Sequence, residues 1–178
     1  MPEFNFVLKF AFDHPDTDPA DYVQVLEESG CDDAVVGIGK LGRIALDFGR
    51  EAATAEEALY SAVADVRRAI PGIHLVEAAP DLVGLTEIAA LLGQTRQNAR
   101  RILQTDEAFP RAVHEGTSAL FHLADVYRWM DERGKRVDTE SRAVALASQT
   151  LNTARDIGAL SPHQAALAQG SWLEAIAR

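Results

Sequence analysis

The residues with the clearest chemistry in this sequence lie between positions 95 and 101, where arginine and amide side chains follow one another. Arginine can form two hydrogen bonds to one guanine, and asparagine or glutamine can do the same with adenine. An arginine beside the bases can neutralise a backbone phosphate, and the N-terminus of a helix also attracts phosphate. The segment therefore indicates contact with a nucleic acid, through Thr95, Arg96, Gln97, Asn98, Arg100 and Arg101.

Two short helices joined at a glycine are predicted to position these side chains. Thr86 is the expected N-cap of a helix over 87–92 that ends at Gly93, and Thr95 is the expected N-cap of a second helix from 96 to about 103. Such a pair is a helix-turn-helix, whose second helix enters the major groove of DNA. The alternative is a polar solvated face on a helix that merely packs. The side chains predicted to face the core are Ile88, Ala89, Leu92, Ala99, Ile102 and Leu103.

A wing is predicted directly after the second helix. The pattern indicates a strand over 112–114, a glycine turn at 116–118, a strand over 119–121, and then a helix that packs Val126, Trp129 and Met130. Glu115 at the turn would repel phosphate unless it is paired. The candidate DNA contacts of this segment are Arg111, His114, Thr117 and Ser118.

The stretches "LTEIAALLGQTRQNARRI", "FPRAV", the glycine turn and "LADVYRW" together resemble the winged helix-turn-helix of the MerR superfamily. The resemblance is closer to its small AlpA-like and excisionase-like branch, and it covers roughly residues 82–133. It implies a DNA-binding regulatory protein whose second helix enters the major groove while the wing touches the flanking backbone or minor groove. It also implies a dimer interface in the region that follows.

The first 79 residues predict a separate α+β domain. Phe4, Phe6, Leu8, Phe10 and Phe12 alternate with smaller or polar residues, which is the pattern of a half-buried strand. A helix opens at an Asp-Pro pair at 18–19, two strands flank a glycine turn at 39–42, and a second helix opens at a Thr-x-x-Glu capping box at 54–57. The order strand, helix, strand, strand, helix, strand predicts a ferredoxin-like βαββαβ domain.

The C-terminal region over 138–178 predicts two amphipathic helices. The first is capped by Asp138 or Thr139, and its helically spaced apolar residues are Val144, Ala147, Leu151, Ala154 and Ile157. These helices form either a dimer interface or a structure that packs back onto the same protomer. A basic link over 133–136 precedes them, and it could add phosphate contacts or act only as a soluble hinge.

The charge is distributed unevenly along the chain. The net charge is −10, and residues 1–81, with 16 acidic and 6 basic side chains, account for all of it. The predicted DNA-binding segment over 82–136 has 8 basic and 7 acidic side chains, and is close to neutral. The overall acidity therefore does not exclude a DNA-binding face.

Several function classes are excluded by what the sequence lacks. No nucleophile–base pair, metal-ligand spacing or phosphate loop is present, and "GIGKLGR" is followed by a strand where a phosphate loop requires a helix. We therefore expect neither an enzyme nor a bound metal or cofactor. A lone cysteine, Cys31, excludes an internal disulfide. The sequence contains no apolar run near ~20 residues, so no membrane span is expected. Because no secretory signal is present either, we expect a cytoplasmic location.

Two hypotheses follow from these patterns. The first is a sequence-specific transcriptional regulator that binds double-stranded DNA as a homodimer, with the acidic domain sensing an effector, holding a protein partner or dimerising. The second is an antitoxin-like or phage-related interaction module whose acidic domain binds another protein.

Overall fold

A four-stranded antiparallel sheet forms the first half of the computed structural model, which describes residues 1–176. Its strands are β1 (Glu3–Ala11), β2 (Ala34–Gly37), β3 (Arg43–Glu51) and β4 (His74–Ala79), in the order β2-β3-β1-β4. β1 pairs along its whole length with β3 and, on its other side, with β4. Together with the helices described below, this sheet confirms the predicted α+β class.

One face of the sheet carries the first hydrophobic core. The residues that alternate in β1 and β3 are buried there, and the rings of Phe6 and Phe48 stack with their centroids 5.2 Å apart. The core is covered by α1 (Val23–Glu28), which follows a 3-10 turn over Pro19–Tyr22, and by α2 (Ala55–Ala69). Asp18 and Thr54 cap the two helical segments as expected, with side chains that accept hydrogen bonds from Ala20 N–H and Glu57 N–H.

The turn between β2 and β3 depends on Gly42. Its φ is +69°, and a Cβ atom at this position would lie 2.4 Å from the carbonyl oxygen of Pro15. The Gly42 N–H also donates to Thr17 O at 2.8 Å, so the turn is held against the loop that follows β1. Only glycine fits this backbone position without strain.

Gly42→Ala is expected to destabilise the protein by at least about 1–2 kcal/mol, the cost of a left-handed backbone for a residue with a Cβ. Steric overlap with Pro15 adds to that cost. Urea unfolding of the full chain measures the effect, with Gly39→Ala as the matched control because nothing lies within 4 Å of a Cβ there. Equal unfolding midpoints for the two variants would contradict this role of Gly42.

The second half of the chain forms a smaller core of its own. It contains β5 (Leu82–Val83), α3 (Leu85–Leu91), α4 (Arg96–Thr105), β6 (Phe121–His122) and α5 (Leu123–Glu132). Phe109 packs edge-on against both Phe121 and Trp129, with ring centroids 5.4 and 4.9 Å apart. Val126, Trp129 and Met130 of α5 are buried in this core, as the sequence predicts. Within residues 1–176, none of the helices combines the length and apolarity that a bilayer span requires.

The long helix α6 (Thr139–Gly158) lies between the two cores, and Asp138 is its N-cap. Val144 and Ala147 belong to the first core, whereas Ala145 belongs to the second. Of the two alternatives for this helix, the structure shows packing back onto the same protomer. Its predicted face is buried at Val144 and Ala147, and Leu151 packs against the first core, whereas Ala154 and Ile157 at the end of that face are exposed.

A buried polar cluster holds α6 to the segment that joins the two cores. The Asp81 carboxylate, in a residue that is 5% exposed, accepts a hydrogen bond from Asn152 Nδ2 at 2.7 Å. His122 Nδ1 lies 2.6 Å from the other oxygen of the same carboxylate. His122 is thus a hydrogen-bonded structural histidine at this junction.

The chain continues beyond α6 into α7 (Pro162–Gln169) and α8 (Ser171–Ile176), which pack against each other. Trp172, Leu173 and Ile176 of α8 are exposed. The last two residues of the predicted C-terminal region, 177 and 178, lie outside the described part of the chain.

Candidate nucleic-acid interface

The candidate interface is built on two short helices that a tight turn connects. Gly93 has a φ of +62°, and the Gln94 N–H donates to Ala89 O at 2.8 Å, which turns the chain directly from α3 towards α4. Thr95 caps α4 as predicted, because its Oγ1 accepts from Asn98 N–H at 3.2 Å. The connection at Gly93 and the start of α4 occupy the predicted positions.

The predicted cap of α3 at Thr86 is wrong. Gly84 is the N-cap, and the helix begins at Leu85, two residues before its predicted start. The reason is a side chain inside the first turn: the Glu87 carboxylate accepts from Gly84 N–H at 3.1 Å. Thr86 consequently lies inside the helix, on the edge of the cleft described below.

The buried face of α4 is the predicted one. Ala99 is fully buried, and Ile102 and Leu103 pack against the second core. The helix continues to Thr105, two residues beyond its predicted end. Because this face is fixed by packing, the opposite face of α4 is presented to solvent in one orientation, and its exposed side chains are Arg96, Gln97, Arg100, Arg101 and Gln104.

Arg96 and Arg100 line a cleft of about 630 Å³. The loop over 116–118 lines the same cleft, so Thr117 and Ser118 meet the two arginines there. The guanidinium and hydroxyl groups provide donors for a phosphate or a base edge. Four of the predicted contact residues thus meet at one place.

Gln104 also lines this cleft, and the sequence analysis did not select it. It lies four residues after Arg100 and eight after Arg96, so the three side chains share one face of the helix. This spacing of four residues could have identified Gln104 from the sequence. Gln104 was not selected because the helix was expected to end near residue 103.

Neither Arg96 nor Arg100 forms an ion pair within residues 1–176. Several arginines on neighbouring surfaces are engaged; Arg133, for example, lies 2.5 Å from the Asp106 carboxylate and over the Trp129 ring. The positive charge of Arg96 and Arg100 is therefore not neutralised by a direct ion pair, and Glu87, whose carboxylate lines the same cleft, accepts from the Gly84 N–H. Such charge is what a polyanion would meet.

The Arg133 contact also bears on the basic link. Partial desolvation raises the pKa of Asp106, but the hydrogen bond from Ala108 N–H and the Arg133 guanidinium outweigh it and hold that pKa below its usual range. Asp106 is thus a carboxylate at neutral pH, and it forms an ion pair with Arg133. Arg133, the first arginine of the basic link, is therefore bound to Asp106 and Trp129 at the end of α5.

Asn98 and Arg101 lie on a second side of α4 and bind each other. The Asn98 side chain is half-buried; its Nδ2 donates to Gln94 Oε1 at 2.6 Å, and its Oδ1 accepts from Arg101 Nη2 at 2.9 Å. Both residues line a shallower surface cleft together with Thr95 and Gln97. To contact a base, the Asn98 amide would first have to give up these bonds.

The predicted wing is present in a shortened form. The segments expected to be strands, 112–114 and 119–121, pair at one bridge between His114 and Leu120, where Leu120 N–H donates to His114 O at 3.0 Å. Beyond this bridge the chain pairs with β5, in the register Val83↔Phe121. Both of those side chains are buried in the second core.

The remaining wing residues are placed apart from the main cleft. His114 folds over the turn, where its Nε2 would lie 2.8 Å from a Cβ at Gly116. Arg111 lines a different depression, together with Asp125 and Arg128. The structure therefore groups Thr117 and Ser118 with α4 but leaves Arg111 on another face.

Other potentially reactive groups of the first domain form no comparable site. Burial, followed by the negative charge of Asp65, raises the pKa of the Cys31 thiol to about 11, so it is not a thiolate near neutral pH. Within residues 1–176, no group of three or more His, Cys, Asp or Glu side chains is arranged to hold a metal ion.

Comparison with known proteins adds no assignment, since no protein-family model, curated protein or solved structure matches the chain.

Proposed function

We propose that this protein is a sequence-specific DNA-binding transcriptional regulator that inserts α4 into the major groove. The observation that carries the proposal is the face of α4, where Arg96 and Arg100 have no ion-pair partner within residues 1–176 and line one cleft with Thr117 and Ser118. In a helix-turn-helix, residues near the N-terminus of the second helix contact base edges.

The geometry supports a division of labour along α4. Arg96, in the first turn, is the residue we assign to base contact through its planar guanidinium. Arg100, one turn further on, is assigned to a backbone phosphate, and the hydroxyls of Thr117 and Ser118 to the phosphates that flank it. Asn98 and Arg101 are held by their mutual hydrogen bonds, so we assign them a secondary role at the same groove.

The finer fold assignment belongs to the same proposal. The order β2-β3-β1-β4 with two helical segments on one face supports a ferredoxin-like first domain. The order of α3, α4, the turn over 116–118 and α5 supports a winged helix-turn-helix like that of the MerR superfamily, with a wing reduced to one bridge.

Selection of bound fragments from sheared genomic DNA tests the proposal, at ~150 mM salt because phosphate contacts depend strongly on salt. The expected result is one enriched sequence motif with wild-type protein and its loss with Arg96→Ala. Arg67→Ala, which removes an exposed arginine of α2, is the control and should keep the motif. If the wild-type protein enriches no sequence, or if both variants bind alike, the proposal is wrong, and a protein-interaction role of the acidic domain gains support.

A further inference from the structure

The two edges of the four-stranded sheet differ in whether their backbone groups are used. At the β4 edge, the side chain of Asn152 replaces a neighbouring strand: its Oδ1 accepts from Ala78 N–H and its Nδ2 donates to Ala78 O, both at 2.8 Å. Arg155 Nη1 donates to Val76 O at the same edge. α6 therefore covers β4 and satisfies the groups that an edge strand would otherwise expose.

The β2 edge carries no such cover. β2 is hydrogen-bonded only to β3, with Val36 opposite Leu46. Asp33 O accepts from Gly49 N–H at 3.0 Å. Along an antiparallel strand, the backbone groups of successive residues point alternately towards the partner strand and away from it. The backbone groups of Val35 therefore point towards β3, and those of Val36 point outwards. Among the described residues, no backbone group outside the β2–β3 ladder bonds to Val36.

The side chains around this open edge are apolar. Val35 is 75% exposed, and Ile38 and Leu41, which follow β2, are 49% and 53% exposed. Edge strands that remain in solvent usually carry charged residues or a bulge that prevents pairing with another chain. Here the middle of the strand has neither, and charge is confined to its two ends.

The charges at the ends of β2 are complementary. Asp32 precedes the strand and Lys40 follows it, and neither side chain forms an ion pair within residues 1–176. Asp32 and Lys40 are each four residues from Val36. β2 itself covers only Ala34–Gly37, with Asp32 in the turn before it and Lys40 at the bend after it. In an antiparallel pair of two identical strands centred on Val36, the end that carries Asp32 in one copy lies next to the end that carries Lys40 in the other.

We propose that a second copy of this chain pairs with the first through β2, antiparallel and centred on Val36. The Val36 N–H of each copy donates to the Val36 carbonyl of the other, and the two sheets become one sheet of eight strands. In this register Val35 of each copy lies beside Gly37 of the other and Ile38 beside Ala34, and Asp32 and Lys40 form an ion pair at each end of the paired strands. A dimer of this kind has the two-fold symmetry that paired half-sites on DNA require.

Analytical ultracentrifugation of the full chain without DNA tests the pairing, so its outcome does not depend on the proposed function. The wild-type chain is expected to be a dimer. Lys40→Glu and Asp32→Lys should each weaken it about tenfold, since each change removes two exposed ion pairs and adds repulsion. The double variant Asp32→Lys/Lys40→Glu restores complementary charges and should recover dimerisation. A monomeric wild-type chain, or a double variant as weak as the single variants, overturns the proposal.

A backbone substitution provides an independent measurement. Val36→Pro removes the outward N–H and should abolish the dimer, whereas Val36→Ala retains the N–H and should weaken it far less. Circular dichroism checks that each variant is folded. If Val36→Pro is unfolded, the variants at Asp32 and Lys40 decide whether the chain pairs through β2. A dimer that tolerates every β2 variant but is lost on Trp172→Ser would place the interface on the exposed α8 instead and overturn the proposal.

Discussion

Arg96→Ala is expected to reduce affinity for the preferred duplex by about 1–3 kcal/mol and to relax the sequence preference at one base pair. The effect is large because a bidentate guanidinium–guanine contact supplies both affinity and discrimination. The side chain stands in the first turn of α4 without an ion-pair partner among residues 1–176, so its removal disturbs no described salt bridge. The loss should therefore appear in binding and leave the free energy of unfolding unchanged.

The matched comparison is Arg100→Ala, one turn further along the same cleft. If Arg100 contacts a phosphate, its removal should weaken all sequences alike and lower the slope of log affinity against log salt by about one. Fluorescence anisotropy titrations with the selected duplex, with single-base variants of it and with an unrelated duplex separate the two behaviours. Identical losses on every duplex for both variants would contradict base contact by Arg96.

Arg50→Met is expected to destabilise the protein by about 3 kcal/mol, because it removes one partner of a largely buried ionic cluster. Arg50 is 6% exposed and donates to Asp33 at 2.7 Å and to Asp65 at 2.8 Å. It also donates to Gly30 O at 2.6 Å, and so connects β3 with α2 and with the end of α1. Because both carboxylates keep some contact with water, the expected loss is at the lower end for buried pairs.

The pKa of Arg50 shows how well this site suits a cation. Burial lowers that pKa, but the hydrogen bonds and negative charges of Asp33 and Asp65 outweigh burial and raise it above its ordinary value. Methionine fills a similar volume and leaves Asp33 without a counter-charge, whereas Asp65 keeps its ion pair with Arg68 at 2.6 Å. Arg50→Lys keeps the charge but lacks the planar fork, so an intermediate loss is expected.

Urea unfolding of the three proteins, together with Arg67→Met as an exposed arginine control on α2, measures this effect. The control should stay within about 0.5 kcal/mol of wild type, as surface substitutions usually do. Equal stabilities for Arg50→Met and Arg67→Met would show that the cluster does not stabilise the fold.

Local patterns in the sequence determined the features that depend on neighbouring residues, such as a strand's buried face and a helix's N-cap. The alternation in "FNFVLKFAF" predicted β1 and its buried face, and Asp18, Thr54 and Thr95 predicted three N-caps that the structure contains. The polar face of α4 followed from the spacing of Ala99, Ile102 and Leu103. These features were accessible because hydrogen bonds and side-chain directions within one element depend on residues only a few positions apart.

Choices between competing distant partners were decided only by the tertiary structure. Residues 121–122 pair with Leu82–Val83, and this pairing places Phe121 in the second core. In the same way, α6 turns Asn152 and Arg155 to the β4 edge, and the loop over 116–118 meets Arg96 and Arg100 in one cleft. A sequence pattern shows that a face must be buried or a backbone group bonded, but the partner depends on which distant segment satisfies it best. That comparison exists only when the whole chain is folded.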